Sequence, residues 1–222
     1  MRIYAKKSLL LLLSPSGGLR NISHMNDSVS QEARDLSGQF LLAMPGMGDP
    51  RFERSVIYLL AHDTEGAMGF IVNQPTDGLN LGDIASNLPE AVASTGLSNL
   101  PVFIGGPVQS DHGFVLHSTD YQTQGNAKPL ATSADLQVQV TQSLEILIDA
   151  ARAKGPNHMR LLLGYTGWGP GQLEGEIQEN AWLSCAADTA DIFTSDTSGL
   201  YEKCIATLGI DLALLSAHGG EA

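Results

Sequence analysis

The sequence predicts a single α+β domain in which strands outnumber helices and pair mainly antiparallel. Three observations predict it. Apolar residues fall in short runs, the length of strands rather than of helices. The runs are bounded by turn-formers. The 222 residues include 24 glycines and 10 prolines, a glycine share above the usual ~7% but far from the roughly 25–30% Gly+Pro of a low-complexity chain. Finally, neighbouring runs are joined by loops too short for the crossovers that parallel strands require.

The elements follow in order. Gln39 to Met44 reads as a strand, stopped by Pro45, Gly46, Gly48 and Pro50. Ser55 to Ala61 and Ala67 to Asn73 read as two more. His62-Asp63-Thr64-Glu65-Gly66 makes the hairpin loop between them, with Gly66 free to take positive φ. Neither strand alternates cleanly, as expected where one or both are covered on both faces. Gln74 to Gly78 reads as a loop, and Leu81 to Leu88 as a short helix broken by Pro89. Val102 to Ile104 and Gly113 to His117 are strands. Leu136, Val138 and Val140 alternate with glutamines, the mark of a half-buried strand. Thr141 or Ser143 caps a helix from Leu144 to Lys154 with a stripe of Leu144, Leu147, Ile148 and Ala151. Met159 to Leu163 is a strand that leads into a glycine loop, Gly164 to Gly171. A helix from Gln172 to about Glu179 and a strand from Ala181 to Cys185 follow. Ile192-Phe193 reads as a last strand. The final helix starts at Thr197 or Ser198 and ends at Gly209, with Tyr201, Cys204, Ile205 and Leu208 on its buried stripe.

The two ends read differently. Residues 1–24 hold Arg2, Lys6, Lys7 and Arg20 and no acid. The leucine run Leu9–Leu13 is shorter than the about 7–15 residues of a signal-peptide core. Residues 1–36 are therefore expected to be a disordered extension, with Met25 the more sensible start. Residues 37–216 form the domain, and 217–222 a loose tail.

Charge and motifs exclude several function classes. The net charge is −12, which opposes direct nucleic-acid contact, because phosphate binding needs clustered cations. No apolar stretch reaches the ~20 residues of a membrane span. The two cysteines, Cys185 and Cys204, form no metal or redox motif, and a reduced, cytoplasmic protein is the simplest reading. The spacing Gly164, Gly167, Gly169, Gly171 is neither a Walker loop nor a dinucleotide fingerprint. Glu174 and Glu176 in the following helix would also repel an anion. His112 and His117 are an odd number apart on a strand, so they face opposite sides and cannot share a metal. His62 beside Asp63 reads as a turn-stabilising histidine, and Arg54 as an ion-paired cation. No metal and no cofactor is expected.

Taken together, several segments resemble the YqgE/AlgH family of bacterial proteins. They are Phe40–Pro45, Asp49–Val56, His62–Asn73 with Pro75, Gly105-Gly106-Pro107, Gly113–His117, Leu163–Trp168, and Gly171–Ile177 running into Asn180–Leu183. The resemblance implies coiled, bifurcated antiparallel sheets with a few peripheral helices. It implies no chemistry. One branch of the family carries a transcriptional-regulator label, which names no DNA-binding motif.

Two functions follow as expectations. The first is a non-enzymatic binding or regulatory module for a protein or small-molecule partner. Its site would form where Gly105-Gly106-Pro107, His117 and the Gly164–Gly171 loop converge. Arg54, His62, Asn73, Trp168, Gln172, Glu176 and Asn180 are its further candidates. The alternative is an enzyme using His62 or His117 as a general base beside Glu176, which requires hydrogen-bond reach between them.

Overall fold

The computed structural model describes residues 35–84, 96–122, 131–133 and 136–210. Among the described residues ten strands appear: β1 Gln39–Ala43, β2 Val56–Asp63, β3 Gly66–Ile71, β4 Pro75–Asn80, β5 Pro101–Ile104, β6 Val108–Ser118, β7 Ala131–Ser133, β8 Val138–Thr141, β9 Met159–Trp168 and β10 Trp182–Ala186. The helices are α1 Leu81–Ile84, α2 Glu145–Ala151, α3 Gln172–Gln178, α4 Thr189–Ile192 and α5 Leu200–Thr207, with 3-10 turns at Pro50–Phe52 and Gly96–Asn99.

One curled sheet contains all ten strands in the order β10-β1-β2-β3-β9-β6-β8-β7, with β5 beside β9 and β4 beside β5. Its ladders are antiparallel except for β5 against β9. The division of the sheet lies in β9. The first half of β9 pairs with β5 and β6, through Leu161, Leu162 and Leu163. Its second half pairs with β3, as Gly69 to Thr166 and Ala67 to Trp168. The switch falls at Gly164, whose φ is +71° and whose Cβ, if it had one, would strike the Gly106 carbonyl oxygen. Only glycine suits both conditions. The expected bifurcation is thus built on a single strand.

Both faces of β1 and β2 are buried, because their apolar runs are continuous. Phe40, Leu42, Val56 and Tyr58 enter a core shared with Phe70, Phe114 and Leu162. Leu41, Ala43, Ile57 and Leu59 enter a second core, with Trp168, Leu173 and Trp182. A third core forms under α2, around Ile146, Leu147, Val115 and Leu161. Full burial of a phenylalanine such as Phe40, Phe70 or Phe114 contributes about 1.5–3 kcal/mol each. α5 closes the first core with Tyr201, Cys204 and Ile205, and the Tyr201 hydroxyl donates to the Ala43 carbonyl at 2.6 Å.

Arg160 is 4% exposed at the margin of this core. Its guanidinium donates to the Val72 and Thr194 carbonyls and lies 4.1 Å above the Phe103 ring. Burial pulls its pKa down to about 10, so it remains a cation.

Several expectations are corrected. Gln74–Gly78 is not simply a loop, since β4 begins at Pro75. The strand tolerates Pro75 and Gly78 because its pairing to β5 is irregular, and the Thr76 hydroxyl donates to the Val102 carbonyl at 2.7 Å. The glycine loop from Gly164 continues as strand as far as Trp168. Ile192-Phe193 is no strand: Asp188 caps α4 by accepting from the Ala190 amide at 2.7 Å, and Ile192 ends that helix. Leu144 is 60% exposed and lies outside α2, while Ile146 takes the buried place. The remainder of the Leu81–Leu88 helix, residues 1–34 and the 217–222 tail lie outside the described residues. Leu36, read as part of the extension, is buried in the second core.

Candidate functional site

The clearest meeting of expected segments is a cleft over the second core. Its walls come from four places: Met47, Arg51 and Phe52 between β1 and β2; Pro107 and Val108 entering β6; Thr166, Gly167 and Trp168 ending β9; and Gln172, Glu176, Ala181 and Trp182 from α3 and the start of β10. The walls are mostly apolar, and the cleft volume is ≈ 40 Å³. A water needs about 10–15 Å³ by that measure, so two or three would fit.

Each side chain is placed by local physics. The Gly105-Gly106 turn lies flat on β9: the Gly105 amide donates to the Leu163 carbonyl at 2.7 Å, and a Cβ on Gly106 would strike the Tyr165 backbone. This close approach brings Pro107 beside Trp168. Gly171, at φ +70°, turns the chain from β9 into α3. The Gln172 side chain then reaches back, its Oε1 accepting from the Gly169 amide at 3.1 Å. Glu176 is the hub. Its Oε2 accepts from the Trp168 and Trp182 indoles at 2.8 and 2.7 Å, and its Oε1 accepts from Gln172 Nε2 at 2.8 Å. The two indoles meet edge to face at 5.8 Å, and Phe52 meets Trp182 likewise at 5.5 Å. Arg51 stands at the mouth, held by a bidentate pair with Asp49 that draws the Asp49 pKa down. On the floor, Thr166 is 1% exposed and its hydroxyl has no hydrogen-bond partner among the described residues.

The expected residues divide. Trp168, Gln172 and Glu176 line the cleft, and Gly105, Gly106 and Gly164 build the backbone behind it. His117 does not converge on it: it lies in β6 opposite Met159 and Gln139, bonds the Ser118 carbonyl through Nδ1 at 2.9 Å and packs on Tyr121. His62 is no turn residue. Its Nδ1 accepts from the Leu36 amide and its Nε2 faces Glu174 Oε1, both at 3.1 Å. Neither histidine is paired with Glu176. Arg54 is paired with Glu202 and lies over Tyr201. The Asn73 side chain bridges the Val56 amide and the Arg54 carbonyl. Asn180 is exposed at the exit of α3, with φ +57°. Among the described residues no cluster of three or more metal-ligating side chains exists.

Sequence reasoning missed Met47, Arg51, Phe52, Thr166 and Trp182. The signal for Trp182 was present, because the chain has two tryptophans and both flank α3. A wider hollow, ≈ 720 Å³, is lined by Asp120, Tyr121, Glu145, Asp149, Arg152 and Lys154. It holds none of the expected residues, and the Tyr121 hydroxyl already donates to Asp149 at 2.8 Å.

The AlgH-like family model matches residues 40–213. The chain belongs to the AlgH-like family. A UPF0301 protein of Ruegeria pomeroyi is 50% identical over 188 residues, covering 85% of this chain and all of that protein. One from Methylobacterium sp. strain 4-46 is 44% identical, covering 84% of this chain and 90% of its own. The solution structure of AlgH from Pseudomonas aeruginosa is 37% identical with a TM-score of 0.66, covering 89% of this chain and all of that one. A Corynebacterium diphtheriae crystal structure, 23% identical with a TM-score of 0.60 over 82% of this chain and 91% of its own, shares the fold. AlgH-like membership agrees with the mainly antiparallel, bifurcated sheet. Among the described residues no helix is long and apolar enough to cross a membrane.

Proposed function

We propose that the protein is a non-enzymatic binding module of the cytoplasm, and that it takes its partner in the tryptophan-walled cleft. One observation carries this reading. The carboxylate that the sequence offers as a catalytic group, Glu176, is occupied by two indoles and an amide, so its work is to hold aromatic walls in place. What those walls then offer is a mostly apolar surface, a recognition feature rather than a proton-transfer one. The acid/base alternative asks for an imidazole beside Glu176, and His62 is paired with Glu174 instead. The two cysteines are free thiols, as suits a reducing compartment. A regulatory role would act through the partner.

The test uses the two tryptophans, which both lie in the cleft and are the chain's intrinsic fluorophores. A ligand entering the cleft shifts their emission and protects them from acrylamide. Phe52→Ala weakens that response by about tenfold, near the 1.4 kcal/mol expected for a partly buried aromatic contact. Partner capture unchanged by both Phe52→Ala and Met47→Ala, with the fold intact by circular dichroism, defeats the reading.

A further inference from the structure

The chain has two cysteines, and the fold brings them together. Cys185 stands in β10 opposite Phe40 of β1, and Cys204 lies on the buried stripe of α5. Both are free thiols of the first core, 9% and 3% exposed, and their side chains hydrogen-bond each other. A lone buried cysteine is an inert small hydrophobe. Two that share a hydrogen bond have a reaction open to them, because their sulfurs are already neighbours. A disulfide needs those sulfurs about 2.05 Å apart. β10 is free to give the remaining approach, since among the described residues it is the end strand of the sheet and pairs with β1 alone.

The two thiols are not equivalent. The hydrogen bond from Cys204 holds the Cys185 pKa below the ordinary thiol value, against burial and the Asp191 carboxylate, and the Thr207 hydroxyl acts in the same direction. That same hydrogen bond, and then burial, pushes Cys204 up. The negative charge therefore resides on Cys185, the more exposed sulfur, while Cys204 keeps its proton. An oxidant-reactive cysteine beside a resolving one has this division. The small exposure of Cys185 admits a molecule the size of hydrogen peroxide and turns away a tripeptide disulfide such as oxidised glutathione.

We propose that Cys185 and Cys204 form a peroxide-modified dithiol site, which closes into a disulfide between β10 and α5. The Cys185 thiolate attacks one peroxide oxygen. An S–O bond forms, the O–O bond breaks, and the hydroxide that leaves becomes water with the proton Cys185 had shed. Cys185 is now a sulfenic acid, oxidised by two electrons, and the peroxide is reduced by two. The Cys204 sulfur then attacks the Cys185 sulfur. The S–S bond forms, the S–O bond breaks, and the Cys204 proton leaves with the hydroxide as a second water. Two thiols and one hydrogen peroxide thus give one disulfide and two waters, and a dithiol reductant reverses the change. Neither thiol lines the tryptophan-walled cleft, so the site stands whether or not the cleft binds a partner.

The full chain, treated at neutral pH with one equivalent of hydrogen peroxide, tests it. Intact mass, thiol titration after unfolding and thermal unfolding are the readouts. The expected product has lost two hydrogens, titrates no thiol and carries no link between copies. Its unfolding midpoint rises by roughly 5–10 °C, as a cross-link that closes a loop in the unfolded chain requires. Dithiothreitol restores both thiols and the original midpoint. Cys204→Ala, which keeps the core apolar, stops at a Cys185 sulfenic acid that dimedone captures. Cys185→Ala slows the reaction by about tenfold or more, since Cys204 holds its proton. Thiols that survive peroxide in the folded chain, while the urea-unfolded chain is oxidised, overturn the proposal and leave a protected core pair. A disulfide that fails to raise the midpoint, or one formed between copies, overturns it too. Equal reactivity of the two alanine variants, or oxidised glutathione acting as readily as peroxide, overturns the assignment of Cys185 as a site for a small oxidant. The mass of the unaltered chain decides should either variant fail to fold by circular dichroism.

Discussion

Arg160 shows what a single residue contributes. A buried cation is costly, and this one, with no carboxylate partner among the described residues, is kept because two backbone carbonyls and the Phe103 ring stand in for water. Replacing it by methionine keeps the volume but strands the Val72 and Thr194 carbonyls. The expected loss is about 1–3 kcal/mol by urea unfolding, chiefly from the unmatched buried Val72 carbonyl, since the Thr194 carbonyl is only half-buried. His117 gives a pH signature. Burial holds its pKa below the ordinary value of 6.5, against the opposing pull of the Ser118 carbonyl and Asp120. The unfolded chain therefore takes up this proton more readily than the folded one. Stability is full above about pH 6.5 and falls as the pH drops through it. Unfolding measured from pH 7 to pH 5 should show that decline, and His117→Gln should flatten it.

At the scale of elements, the glycines of β9 and its neighbours separate close contact from mere conformation. Gly106→Ala would drive a methyl into the Tyr165 backbone, and Gly171→Ala meets nothing within 4 Å and has only its φ of +70° to satisfy. The second change should cost about 1–2 kcal/mol. The first should cost clearly more, as read by thermal or urea unfolding of the two variants side by side. These positions also show where the sequence was legible. The continuous apolar run Ser55–Ala61 announced a strand covered on both faces, and Phe40–Met44 announced a strand without showing that both its faces are buried. Gly164-Tyr165-Thr166-Gly167-Trp168 looked like a loop because glycine weakens strand propensity. It is a strand because Thr166, Gly167 and Trp168 pair with Gly69, Met68 and Ala67 of β3, and only Gly164 is forced to be small by the Gly106 carbonyl. β4 was hidden for a similar reason, as Pro75 and Gly78 mimic a turn. The cleft was half visible. Trp168, Gln172 and Glu176 lie in one short stretch, and that stretch drew notice. Arg51, Phe52 and Trp182 reach the cleft from distant positions, through strand order that no local pattern encodes. Arg54 and Asn73 looked functional because polar residues at strand ends often are. In the structure Arg54 pairs with Glu202 and lies over Tyr201 of α5, and Asn73 bridges the Val56 amide and the Arg54 carbonyl.

For the whole molecule, β9 is the common member. Its first half belongs to the β5–β6 side and its second half to the β3 side, so neither side retains a complete ladder without it. Opening one side strips partners from the other. Amide hydrogen exchange should therefore give Leu161–Leu163 and Thr166–Trp168 the same opening free energy, equal to that of global unfolding. Two distinct values would mean that the halves open separately. With one value, a partner seated beside Trp168 would slow exchange as far away as Leu161, since any ligand that favours the folded form stabilises every amide released only when the entire cooperative unit comes apart.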